Sequence, residues 1–243
     1  MKKRLPYNTI NLQKNTSPQQ TLLLLLLLDT SGSMNEAVEV VDEKEITKLQ
    51  LLYAAYQRFI EALSTDPISR KSVELGLITF NSEVKTIRDF STFETVPDVL
   101  PSFTASGVTR IGEAVCTATQ QIHKRYEVLL NKGETNTLTP VMVVLSDGYA
   151  FESSPDAMQE AVKACSSKVF HTIPIFIGKE EENPAFLNEI GNPINVNQLM
   201  IGELFDGILS ATKSSLSTAS SSAFSDLLQS AISWSMALAD GNK

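Results

Sequence analysis

TLLLLLLLDTSGSMNE, residues 21–36, drives seven consecutive leucines, Leu22 to Leu28, straight into an Asp-Thr-Ser-Gly-Ser turn. A helix needs about 20 apolar residues to cross a bilayer, and this run ends after seven. The core of a secretory signal follows its basic start closely and ends in small residues. Here Lys2, Lys3 and Arg4 are set apart from the leucines by a polar stretch, and Asp29 closes the run. What remains is a β-strand over about 21–28, apolar throughout because both of its faces are covered.

On either side of that strand the chain alternates. Ile46, Leu49, Tyr53, Tyr56, Ile60 and Leu63 recur at spacings of three and four and predict a helix. VELGLITF at 73–80 is a second strand, and 84–88, after Asn81-Ser82, is its hairpin partner. The polar loop TASGVTR, 104–110, opens a helix through Ile111, Val115, Ala118, Ile122 and Leu129. VMVVLS, 141–146, is again continuously apolar and runs into Asp147-Gly148. A helix at 155–167, a strand at 169–177, a short helix at 184–190, a small strand at 194–196 and a helix at 202–212 follow. The fold class is therefore α/β: a doubly wound, mostly parallel sheet with helices on both faces and one antiparallel edge strand.

The polar segment 1–19 reads as an arm with a short strand around Tyr7 to Leu12, and 20–213 as the domain. Serine-rich composition makes 214 onward a linker, followed by a C-terminal helix lined by Phe224, Leu227, Leu228, Ile232 and Met236. A chain of 243 residues can bury a core of this size in one domain. Its net charge of −8 would repel a phosphate backbone, which excludes non-specific nucleic-acid binding. Glu180, Glu181 and Glu182 read as a solvated loop. The two cysteines, Cys116 and Cys165, lack C-x-x-C spacing and read as reduced structural thiols, which with no export signal points to the cytoplasm.

In an open parallel sheet, ligands bind outside the carboxyl ends of the strands. Asp29, Ser31 and Ser33 stand at one such end, Asp147 at another, and Thr109 in the loop before the second long helix. Alternate residues of an extended turn point the same way, so D-x-S-x-S can aim three oxygens at one ion, and Gly32 permits the tight backbone. Asp, Ser and Gly are also ordinary turn and cap residues. The metal reading rests on convergence of three loops rather than on any one of them. Two carboxylates and three hydroxyls are hard oxygen donors suited to Mg²⁺ or Mn²⁺.

The order strand-DTSGSM, loop SGVTRIG, strand-LSDG resembles the von Willebrand factor type A domain over residues 20–212. The resemblance implies a metal-ion-dependent adhesion site at Asp29, Ser31, Ser33, Thr109 and Asp147. It further implies a non-enzymatic protein-interaction module whose metal takes an Asp or Glu from a protein partner. Within that superfamily the chain is most similar to compact bacterial proteins of tellurite-resistance and stress operons, which implies a kinase or phosphatase of the same cluster as partner. Two departures stand out. Val108 precedes Thr109 where relatives carry glycine, and the loop GYAFESS after Asp147 is more aromatic and less acidic than usual.

The alternatives are a haloacid-dehalogenase-type phosphatase and a metal-independent scaffold. The first wants a second carboxylate two residues after the strand-end aspartate, where this chain has Ser31. His123 and His171 are not placed as a pair and read as structural, so no Ser-His-Asp triad is expected. Neither G-x-x-x-x-G-K-[ST] nor G-x-G-x-x-G occurs, leaving nucleotide binding without a basis. Trp234 reads as packing of the terminal helix rather than as a docking anchor.

Overall fold

The computed structural model describes residues 20–41, 44–94, 102–148, 150–151, 155–178 and 185–241. The expected strand near Tyr7, the arm at 1–19, the acidic run at 180–182 and the side chains of Trp234 and Met236 lie outside what it describes.

The leucine run is β1, Leu22–Asp29, and all eight of its residues are buried. It pairs in parallel with β4 (Val73–Phe80) on one side and β6 (Val141–Ser146) on the other. β7 (His171–Ile177) and β8 (Ile194–Val196) extend the sheet beyond β6, and β5 (Val84–Ser91) caps it antiparallel beside β4. The order β5-β4-β1-β6-β7-β8 is thus mostly parallel with one antiparallel edge, as expected.

Alternation of side chains along β1 splits the leucines between two apolar layers. Leu22, Leu24, Leu26 and Leu28 pack with helices α1 (Lys48–Thr65) and α6 (Ile201–Thr218). Leu25 and Leu27 pack with α3 (Ile111–Asn131), α4 (Pro155–Ser166) and α5 (Ala185–Ile190). Gly76 on β4 makes room for one of them, since a Cβ there would lie 2.6 Å from Leu25 Cδ1.

Two parts differ from the sequence reading. Between β1 and α1 the chain makes a 3-10 turn and then an antiparallel hairpin of β2 (Ala37–Val41) and β3 (Lys44–Thr47), so Ile46 belongs to a strand. α1 starts after it, at a capping box in which the Thr47 hydroxyl accepts from Gln50 N–H and the Gln50 side chain returns the bond. The serine-rich stretch expected as a linker is also different. α6 runs on through Thr218, the chain reverses at Ala219 in left-handed conformation, and α7 (Phe224–Gly241) folds back on α6 with Phe224, Leu228 and Ile232 buried. Serine hydroxyls there bond carbonyls one turn back, Ser215 to Ala211 for example, which satisfies them inside a helix. α2 (Ser69–Ser72) is a single turn before β4. Among the described residues no helix is long and apolar enough to cross a membrane.

Candidate metal centre

The sheet reverses its winding at β1: β4 lies to one side and β6 to the other. Their carboxyl ends splay apart at such a switch point, leaving a crevice. Asp29 ends β1 and Asp147 directly follows β6, so the two carboxylates meet there from separate strands.

Asp29 has no exposed surface. The Ser31 N–H donates to its Oδ1 at 2.7 Å and the Ser146 hydroxyl to its Oδ2 at 2.6 Å. Burial raises its pKa from 3.8 to about 6, against the opposing pull of the Ser146 and Ser31 hydrogen bonds. The Ser31 and Ser33 hydroxyls stand 3.1 Å apart, and Ser33 Oγ donates to Asp147 Oδ1 at 2.7 Å.

Thr109 arrives from the loop before α3. A Cβ on Gly148 would lie 3.4 Å from Thr109 Oγ1 and 3.7 Å from Ser33 Oγ, so both hydroxyls border one small space that glycine leaves open. That loop is fastened on all sides. Gly32 N–H donates to Gly107 O, Ser106 N–H to Thr30 O, and Phe151 N–H to Thr109 O. Phe103 at its start packs against Tyr53 and Tyr56 of α1, with centroids 5.4 and 5.7 Å away. The Val108 departure is thereby explained. The left-handed position is Gly107, at φ +70°, where a Cβ would fall 2.1 Å from Ser82 Oγ, while Val108 is 37% exposed and donates its N–H to the Ser82 hydroxyl at 3.1 Å.

The five expected residues are thus brought to one crevice. Ser33 and Asp147 are in direct contact, Asp29 reaches Ser31 through the backbone, and Thr109 faces Ser33 across Gly148. Two further residues escaped the sequence reading. Ser146, the last residue of β6, holds Asp29; its signal was a hydroxyl ending an otherwise apolar strand. Lys48, first residue of α1, places Nζ 2.7 Å from Asp147 Oδ2 and 2.7 Å from Glu36 Oε2, with its side chain 9% exposed. Burial alone would depress the lysine pKa, but the bonds to Asp147 and Glu36 outweigh it and hold the ammonium above its usual value. A cleft of about 350 Å³ opens beside this pair toward the ends of β7 and β8, bordered by Ser33, Gly178, Asn197 and Gln198.

The donor set can be compared with what an ion requires. Oxygens at about 2.1 Å in an octahedral shell lie about 3 Å from their neighbours along an edge. The Ser31–Ser33 separation of 3.1 Å matches that edge. No cluster of three or more His, Cys, Asp or Glu suited to a metal occurs among the described residues. The donors gathered here, two carboxylates and three hydroxyls, are hard oxygens that could hold a divalent ion with retained waters.

The sequence model of the von Willebrand factor type A domain matches residues 24–208. Solved structures with the same fold include a protein described as von Willebrand factor type A from Catenulispora acidiphila. Its TM-score is 0.54 at 13% identity, with 80% of this chain and 43% of that one covered. The PilB minor pilin of Streptococcus sanguinis superposes with TM-score 0.59 at 13% identity, covering 82% and 63%. Proximal thread matrix protein 1 of the mussel byssus, solved with a zinc-occupied MIDAS motif, gives 0.52 at 17% identity, covering 79% and 48%. The chain therefore spans only 43% to 63% of the length of these three. No curated protein matches it.

Proposed function

Because the chain belongs to the von Willebrand factor type A domain family, we propose that the crevice is a metal-ion-dependent adhesion site that binds a partner protein through a divalent ion. The observation that carries this reading is the convergence of Asp29, Ser31, Ser33, Thr109 and Asp147 from three separate loops around one switch point. Ser31, Ser33 and Thr109 would hold Mg²⁺ or Mn²⁺, with Asp29 and Asp147 balancing its charge directly or through water. When bound, the ion supplies a Lewis-acidic acceptor for a carboxylate from the partner. A bacterial stress or tellurite-resistance setting, with a kinase or phosphatase as partner, belongs to the same proposal and rests on the pattern of motifs alone.

The non-enzymatic reading is supported by the surroundings of Asp29. A fully buried carboxylate, already engaged by Ser31 and Ser146, is not presented for attack on a phosphoester. Ser31 also stands where an acid-base carboxylate would be needed.

Calorimetric titration with Mn²⁺ tests the metal, and pull-down from native lysate with and without chelator tests the docking. Asp29→Ala should lose ion binding while keeping its far-ultraviolet dichroism, because the change removes a carboxylate at the very end of β1 and leaves the apolar layers untouched. Thr109→Ala should weaken chelator-sensitive capture. Equal Mn²⁺ affinity in wild type and Asp29→Ala would remove the metal from the account. Turnover of p-nitrophenyl phosphate that disappears in Asp29→Asn would replace the adhesion reading with the phosphatase.

A further inference from the structure

Lys48 is a cation placed by the fold against the metal centre. Its ammonium is nearly buried, bonded to the Asp147 oxygen that faces away from Ser33, while the other Asp147 oxygen receives the Ser33 hydroxyl. One carboxylate thus separates a permanent positive charge from the hydroxyl pair that would hold the ion. The placement is built into the architecture. The Lys48 N–H donates to Glu36 O at 3.2 Å and its ammonium to Glu36 Oε2, so one residue closes the root of the β2–β3 hairpin twice. With that root closed and α1 capped at Thr47, the lysine stem has little freedom to leave Asp147.

We propose that Lys48 sets the charge of the metal centre, lowering its affinity for the ion and raising the affinity of the loaded site for a carboxylate. The inference rests on the adhesion-site reading above. The electrostatic argument has two halves. Lys48 offsets the charge of Asp147, so the pocket attracts a divalent cation less strongly than two free carboxylates would. Once an ion is held by neutral hydroxyls, the same offset leaves the site more positive toward an incoming anion. Removing the lysine charge should therefore move the two affinities in opposite directions. A lysine that only packed or braced the loop would move ion binding downward when removed, because a misplaced Asp147 holds it less well.

The test uses the full chain and its Lys48→Met variant, with Mn²⁺ as the ion and acetate as the carboxylate probe. Calorimetry reads Mn²⁺ affinity, and water-proton relaxation of the Mn²⁺-loaded protein reads displacement of water by acetate. Lys48→Met should bind Mn²⁺ about tenfold more tightly, the scale on which a neighbouring unit charge shifts such equilibria, and bind acetate several-fold more weakly. Lys48→Gln keeps an N–H donor for Asp147 without the charge and, like Lys48→Met, should bind Mn²⁺ more tightly and acetate more weakly. That variant carries the test if methionine perturbs the fold. Unchanged or weaker Mn²⁺ binding in a folded variant overturns the role of Lys48 and leaves the adhesion site standing. So does acetate binding equal to wild type. Failure of wild type and variants alike to bind Mn²⁺ overturns the adhesion site, and this proposal with it.

Discussion

At Asp29 the protein keeps a carboxylate out of water, in contact with Ser31 N–H and the Ser146 hydroxyl. Its pKa of about 6 in the fold stands above the ordinary 3.8. The folded state thus holds a proton that the unfolded chain has already released in between. Stability from this group is complete below about pH 4 and declines as pH rises to about 6, by about 2–3 kcal/mol in the metal-free protein. Asp29→Asn should recover that energy. The amide oxygen still accepts from Ser31, its NH₂ donates to a rotated Ser146 hydroxyl, and no charge is buried. The variant should melt higher than metal-free wild type at pH 7.5, and its stability should no longer fall between pH 4 and pH 6. A lower melting temperature at pH 7.5 would show that the charge is better solvated than its burial implies. The D-x-S-x-S motif, the later threonine and the later aspartate were legible because each sits beside a strong local signal, an apolar strand end or a helix start. Lys48 was not, since its partner lies 99 residues along the chain and nothing local distinguishes it from a solvated lysine opening a helix.

Among the elements, the buried parallel strands were readable from unbroken apolar runs and the amphipathic helices from periodicity, whereas the β2–β3 hairpin was not. Its strands have five and four residues, interleaved with Glu39, Lys44 and Glu45, too short and too charged for a clear alternation. The long extent of α6 was hidden in the same way, because serine and threonine are weak helix formers read more readily as linker. Sheet order was not legible either, since it depends on contacts between strands distant in sequence. A long-range contact of another kind ties helix α3 to β4: Arg125 grips Glu74 with two hydrogen bonds of 2.5 Å, the glutamate side chain 7% exposed and the arginine 26%. The Glu74 bond holds the guanidinium pKa above its usual value. Arg125→Met should strand a nearly buried carboxylate and cost about 2–3 kcal/mol, below the range for fully buried pairs because the arginine is partly solvated. Adding Glu74→Leu should restore most of that loss. Urea denaturation of the two variants measures both; a double variant no more stable than the single would place the cost in packing instead.

For the molecule as a whole, the apolar layer on the α1 and α6 side does not stop where the family match ends, at residue 208. Phe224, Leu228 and Ile232 of α7 extend it, and Gly207 lets α7 approach so closely that a Cβ there would lie 2.8 Å from Leu228 Cδ1. Phe224→Ala should therefore cost about 3–4 kcal/mol and still unfold in one transition, as expected of a helix continuous with the core. Two transitions in calorimetry would make α7 a separate unit. The leucine run at the centre of the same sheet has a different consequence. In most half-buried strands a one-residue slip exchanges inward and outward side chains and is ruinous; here both layers receive leucine whichever way the strand is counted. Deleting Leu24 would draw the upstream chain forward by one residue, refilling its place opposite Leu75 with Leu23 and leaving only Thr21 in the seat of Leu22. Such a deletion should fold with a loss of about 2–3 kcal/mol, while removing Val143 from β6 would put Met142 in a valine seat and Pro140 in the place of Val141 and should cost more. A homopolymeric strand is tolerant of miscounting, and the loop that begins at Asp29 is what tells the chain where counting starts.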